Sequence, residues 1–339
     1  MPRESLAATA RMGLAFGMSL ASYWANGSAR PFSASFAVTN RCNLRCSYCN
    51  TPFLDPRDLP LDRVELLLRR LHALGVRRLG LLGGEPLVRR DIGEIVELSR
   101  RLGFYVSINS NLNLYARRPE VFDEVDLVFT SLDGDEDAHR ASRGDKAWDG
   151  VLDAMADLLR RGKPLIAIAV VNEHNTGEAD ALLRRAEAMG FRVHFQPQCS
   201  DTDIVRGGIA EDVSDGRLRA FFAELLAQKR AGRPVASSDA YLAAQARWSS
   251  FRVSAFHDPA GARCAAGRGF LYVDPQGRGY PCAYTKGKTA PVDLLATDWR
   301  EGFSGETPCN TCNVGPMLEF NLLFRRPLSA TLAAARRIA

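Results

Sequence analysis

From residue 33 to about 198, short runs rich in β-branched and aromatic residues alternate with longer apolar-periodic segments. The runs at 33–39 (SASFAVT), 78–82 (RLGLL), 104–109 (FYVSIN), 126–132 (DLVFTSL), 165–171 (LIAIAVV) and 192–197 (RVHFQP) predict strands. Between them the apolar spacing is helical. In LDRVELLLRRLHALG, the residues Leu61, Val64, Leu67, Leu68, Leu71 and Leu74 share a face, and Gly75 supplies the stop. DIGEIVELSRRLG, GVLDAMADLLRRG and EADALLRRAEAMG repeat the device, each closing on glycine. Six such units predict an α/β fold with a parallel sheet and right-handed crossovers. An open, partial barrel and a doubly wound sheet both satisfy the pattern. In either, functional groups collect where strands end and loops begin.

Beyond residue 198 the pattern loosens. Residues 199–260 hold one clear helix, around DGRLRAFFAELLAQKRAG, and read as a linking helical region. Residues 261–318 are rich in glycine and proline, and GFLYVDPQGRGYPC predicts a small hairpin with Pro275 to Gly277 in its turn. Residues 319–339 read as a basic amphipathic helix interrupted at Pro327. At the other end, residues 12–29 carry no charge and follow Arg3 and Arg11, as a signal peptide would. Their glycines, serines and asparagine, and a length marginal for a membrane span, favour an amphipathic or buried helix within a 1–32 segment.

Composition narrows the class. With 46% hydrophobic and 24% charged residues the chain is an ordinary globular one. The net charge of +5 contains no run of five like charges, so no nucleic-acid tail is expected. Eight cysteines in 339 residues are too sparse for a disulfide scaffold. Their clustering points to metal and to a reducing, cytoplasmic compartment.

Three of them lie in AVTNRCNLRCSYCN (37–50), directly after the first predicted strand, spaced Cys42-x3-Cys46-x2-Cys49. Structural zinc takes four closed ligands. Three thiolates in one loop suit a [4Fe–4S] cluster whose fourth iron stays open to an outside ligand. A zinc site completed from elsewhere is the alternative.

Cys42-x3-Cys46-x-Tyr48-Cys49 resembles the signature of the radical S-adenosylmethionine (SAM) enzymes. The resemblance implies that Cys42, Cys46 and Cys49 hold a catalytic cluster. The SAM methionine group would chelate its open iron, and an electron from flavodoxin or ferredoxin would release a 5′-deoxyadenosyl radical that abstracts hydrogen. Tyr48 would approach the adenine. LLGGEPL (81–87) is similar to the family's GGEP motif, which implies that Gly83, Gly84, Glu85 and Pro86 hold the SAM amine; a strand-end turn accounts for the same residues. SINSNL (107–112) departs from the family's TNG-like strand end, so Asn109, Ser110 and Asn111 either reach the ribose or form the turn. SLDGDEDAHRASRG (131–144) resembles the family's SLDG segment. Ser131 and Asp133 would then make polar contacts near ribose or substrate, and Arg143 would pair the SAM carboxylate. Helix capping by Asp133 or Asp135 and a surface arginine are the plainer account, with His139 structural. The resemblance covers residues 33–198 and implies a partial (β/α)6 TIM-like barrel.

Cys264, Cys282, Cys309 and Cys312 form a second set: Cys-x12-Gly277-x4-Cys, then Cys309-x2-Cys312. A closed zinc site and a second [4Fe–4S] cluster both use four thiolates. The spacing is similar to that of the SPASM and twitch auxiliary domains. With four cysteines it resembles the shorter type found in twitch-type dehydrogenases. That implies an auxiliary [4Fe–4S] cluster and an oxidoreductase. Cys199, at the end of the sixth predicted strand, is left as an inert thiol, a general base, a hydrogen donor or an extra cluster ligand.

About 32 residues precede the predicted barrel, where peptide-modifying relatives often carry a winged-helix domain. A small-molecule or lipid substrate is therefore expected ahead of a ribosomal peptide, an isoprenoid being one lipid candidate. The terminal helices suit peripheral contact with the inner membrane face. A non-catalytic iron–sulfur or zinc protein, regulatory or electron-carrying, is the reading from a different class.

Overall fold

The computed structural model describes residues 13–14, 16–24, 31–200, 202–205, 207–208, 213–261, 263–298 and 307–325. All six predicted strands are present: β1 Ser33–Thr39, β2 Arg78–Gly83, β3 Tyr105–Ser110, β4 Leu127–Ser131, β5 Leu165–Val171 and β6 Arg192–Pro197. Between them run α1 Leu61–Leu74, α2 Ile92–Arg101, α3 Glu136–Arg143, α4 Val151–Arg160 and α5 Ala179–Met189. Gly75 takes φ 109° at the end of α1, where an L side chain would be strained.

The strands lie in sequential order, β1 to β6, all parallel. A doubly wound sheet reverses its order partway, so the topology is that of the partial barrel. Right-handed crossovers then put every helix on one face. Phe36 and Val38 of β1, Leu79 and Leu81 of β2 and Ala167 and Ala169 of β5 are buried there with Val64, Leu67, Leu68 and Leu71 of α1. The intervening residues Leu82, Phe129, Ile166 and Ile168 are only partly buried and line the concave face, the lumen.

The predicted hairpin forms from β8 Phe270–Val273 and β9 Arg278–Tyr280, with Tyr272 opposite Tyr280. Its turn is held by the Asp274 carboxylate, which accepts from the backbone of Gln276 and Arg278. The cysteine-rich region is joined to the barrel by one ladder: β8 pairs parallel with β1, Ser33 to Phe36 against Phe270 to Val273. The barrel's open edge thus finds its partner inside residues 261–318, and the two regions share one sheet.

Within 199–260, α6 Asp215–Arg230 and the unforeseen α7 Asp239–Gln245 are capped by Ser214 and Ser238. The short strand β7 Ala255–Phe256 pairs with β11 Thr311–Cys312, while β10 Val292–Asp293 adds to the edge of the main sheet. The last helix, α8 Gly315–Arg325, starts earlier than expected, and the Pro327 interruption falls outside the described residues. The N-terminal helical residues pack against α8: Leu20 is buried, and the Trp24 indole donates to the Phe324 carbonyl at 2.6 Å. Among the described residues no helix is long and apolar enough to cross a membrane.

Candidate active site

The first cysteine loop leaves the carboxyl end of β1 and is clamped from two sides. Ser47 donates through its backbone N–H and its hydroxyl to the Ser142 carbonyl at the end of α3. On the other side, Asn50 N–H and Nδ2 reach the carbonyls of Ile204 and Asp203, and Cys49 bridges Val205. Between the clamps, Cys42, Cys46 and Cys49 gather with Leu44, Tyr48 and Ala147. Burial pushes the Cys42 thiol up to about 12, and the nearby charges of Glu85, Cys46 and Cys49 add to the rise. Burial also raises Cys46, against the opposing pull of Arg143. Thiols so placed ionise together only against a strong positive charge, which is what a metal cluster brings. Among the described residues no three ligating side chains converge as they do on a single ion. A cubane instead seats each thiolate on a separate iron.

The GGEP segment is built around that loop. Gly84 and Glu85 N–H donate to the carbonyls of Thr39 and Arg41 at 2.8 and 2.9 Å, so β2's end lies flat on the chain entering the cysteine loop. A Cβ at Gly83 or Gly84 would collide with those same carbonyls, and Gly83 has φ 148°. The glycines therefore serve backbone-to-backbone approach. Glu85 is 0% exposed, and its carboxylate accepts from Leu87 N–H, the Ser110 hydroxyl and Asn111 N–H at 3.0, 2.8 and 2.7 Å. Burial raises its carboxyl to about 7 despite those donors. Ser110 and Asn111 thus form the strand-end turn, and Asn111 also donates to Asn43 in the cysteine loop. Pro86 opens a single buried turn behind Glu85. Asn109 and Ser131 fall on the lumen side of β3 and β4, half-buried.

Asp133, Arg143 and Tyr48 form one unit. Arg143 Nε and Nη2 donate to the two Asp133 oxygens at 2.6 and 3.0 Å. Asp133 also accepts from Val170 N–H at 2.9 Å and from the Tyr48 hydroxyl at 3.4 Å. The guanidinium stacks 5.5 Å from the Tyr48 ring centre. The arginine expected at the SAM carboxylate is thus engaged by Asp133, and the helix cap comes from Asp135. His139 accepts from Asp133 N–H and meets the Ala147 carbonyl; burial lowers it to about 4, so it stays neutral.

Three members of the second set lie together. Cys264, Cys282 and Cys309 are buried in one cluster with Phe270, Tyr284 and Phe324. Cys312, on β11, is raised well above the usual thiol range by burial and then by the charges of the other three. Burial pushes Cys282 to about 12 and Cys309 to about 11. Four mutually repelling thiols suit a polycationic group, as the first set does. Cys199 stays apart: half-buried after β6, it is held near 12 by burial and hydrogen-bonds Ser254, the profile of an inert thiol.

Sequence reasoning missed Arg89. It is buried, donates to the carbonyls of Val38 and Leu59, and pairs with Asp91, tying β1, α1 and α2 together under the site. Its only signal was its place after GGEP.

Residues 36–186 match the family model described as the Radical SAM superfamily. Among solved structures, Streptococcus suis SuiB bound to S-adenosylmethionine is similar with a TM-score of 0.66 at 16% identity, over 86% of this chain and 70% of that one. SuiB bound to its precursor peptide SuiA gives 0.66 at 16%, over 84% and 67%. The anSMEcpe structure with bound AdoMet and a Cp18Cys peptide gives 0.61 at 15%, over 91% and 100%.

Proposed function

From a radical SAM domain at residues 36–186, we propose that this chain oxidises a peptide substrate, with an auxiliary [4Fe–4S] cluster held by Cys264, Cys282, Cys309 and Cys312. One observation carries the reading. β1 and β8 run side by side, the first thiolate set following β1's carboxyl end and the second flanking β8's amino end. The two sets bracket the lumen lengthwise, about 20 Å of strand apart at ~3.3 Å per residue. When bound, the groups supply cleavage of SAM to a 5′-deoxyadenosyl radical at the first site and an acceptor for the substrate's electron at the second.

The protein's own contribution is positional. The Thr39–Arg41 and Gly83–Glu85 ladder fixes the cysteine loop against the strand ends. The Asp133–Arg143–Tyr48 unit sets the wall beside it. Leu82, Phe129, Ile166 and Ile168 offer an apolar lumen that shields a radical from water. The substrate would lose a hydrogen atom to the radical, then one electron and one proton, a net two-electron oxidation. The electron that starts each turnover would come from a low-potential donor such as flavodoxin or ferredoxin. Peptide is preferred to the small molecule or lipid suggested by the sequence because two of the similar structures above were solved with peptides bound.

Anaerobically reconstituted protein with SAM and dithionite should yield 5′-deoxyadenosine. None, at full iron loading, sinks the radical reading. Cys309→Ala should lose the iron of one cluster and abolish product while still cleaving SAM. Unchanged product in that variant removes the auxiliary role.

A further inference from the structure

The auxiliary site has a partner outside its cysteines. Asn321, on α8, is 2% exposed and sits against Cys264. Its Oδ1 accepts from Ala265 N–H at 2.7 Å, which fixes the orientation of the amide: the oxygen must face the backbone donor. Nδ2 lies 3.3 Å from Cys264 Sγ, and Oδ1, which a protonated thiol reaches at 3.5 Å, is left to Ala265 once the sulfur is a thiolate. Ala266 N–H also points at that sulfur, at 3.5 Å. The helix cannot drift off this position easily. Phe324, one turn on, fills the space over Gly269 so closely that a Cβ there would strike its ring.

We propose that Asn321 tunes the group bound at the second cysteine set, raising its reduction potential by donating an N–H···S hydrogen bond to Cys264. Adding an electron to a thiolate-ligated cluster increases negative charge on the sulfurs. A donor aimed at one of them therefore stabilises the reduced state more than the oxidised one. A higher potential makes the group a better acceptor for an electron leaving a substrate. Asn321 is in this sense a positioning residue, since it acts through Cys264. The inference rests on the proposal that the second set holds an iron–sulfur cluster.

The test is a redox titration of both clusters, followed by EPR, in anaerobic full-length protein. Asn321→Leu removes the donor without adding charge, and Asn321→Asp keeps the acceptor for Ala265 while removing the donor. Both variants should shift the auxiliary midpoint to lower potential and leave the first cluster's midpoint in place. An unchanged auxiliary midpoint in Asn321→Leu, at full iron loading, overturns the proposal; so does a shift confined to Asn321→Asp, which charge alone would explain. An independent readout needs no variant. In wild-type protein carrying ¹⁵N-asparagine, pulsed EPR of the reduced auxiliary cluster should show a nitrogen coupling. Its absence overturns the proposal even if neither variant assembles. Failure of the underlying reading looks different, since wild-type protein would then carry the iron of one cluster only.

Discussion

Arg143 grips Asp133 with two parallel hydrogen bonds, at side-chain exposures of 8% and 0%, directly beneath the Tyr48 ring. A buried charge that loses its partner is left uncompensated, at a cost of about 3–5 kcal/mol. Arg143→Leu should destabilise the fold by that order, measured by anaerobic chemical denaturation. Arg143→Lys should recover only part of it, because an ammonium cannot reproduce the fork. Full stability in Arg143→Leu would show that Val170 N–H and Tyr48 alone satisfy Asp133.

Glu85 gives the site a pH signature. Its carboxyl is raised by burial to about 7, above its value in the unfolded chain, near 4.3. Between those values the folded state holds more protons than the unfolded one, so stability falls as pH rises from about 4.3 to 7. The integrated effect is on the order of 3 kcal/mol. Glu85→Gln should flatten this part of the profile, read as unfolding midpoints at pH 5 and pH 8. An identical slope in the variant would assign the dependence to other groups.

Gly84→Ala should be far more harmful than its single methyl suggests. The added Cβ strikes the Arg41 carbonyl, so β2's end and the entry to the cysteine loop must separate. Overpacking of this kind costs about 1–3 kcal/mol. Iron analysis should show loss at the first site with the second retained. Retention of both clusters would mean that the loop can shift without losing its ligands.

Phe324→Ala addresses the other end. Phe324 is almost fully buried, under Gly269 and beside Tyr23. Its removal should cost about 3–5 kcal/mol. Because α8 carries Asn321, the auxiliary cluster should become labile in the same variant, seen as faster iron release to a chelator. Release at the wild-type rate would separate helix packing from cluster retention.

Much of the barrel could be read from the chain because its signals are local. β1, β5 and β6 begin and end where alternation and turn residues place them, and Gly75 stops α1 where its freedom at positive φ is needed. Cys42, Cys46 and Cys49 share one buried cluster, and Cys264, Cys282 and Cys309 share another. The pairing of β8 with β1 was not legible, because residues 33 and 270 are joined only by the closure of the whole sheet. Nor was the inward use of Asp133, Arg143 and Glu85. A motif names the residue types at a site, and only packing decides whether a carboxylate faces a ligand or a neighbouring strand. Asn321 lay further out of reach, since nothing in FNLLF marks one amide as a partner to a thiol some fifty-seven positions earlier.

The β1–β8 ladder has a kinetic consequence. Electron tunnelling decays exponentially with separation, so a donor and acceptor joined by a flexible linker would exchange at a fluctuating rate. Here the gap is spanned by two hydrogen-bonded strands in fixed register. On the function proposed above, the lumen where a substrate radical would form and the acceptor at the second thiolate set would therefore keep a constant separation.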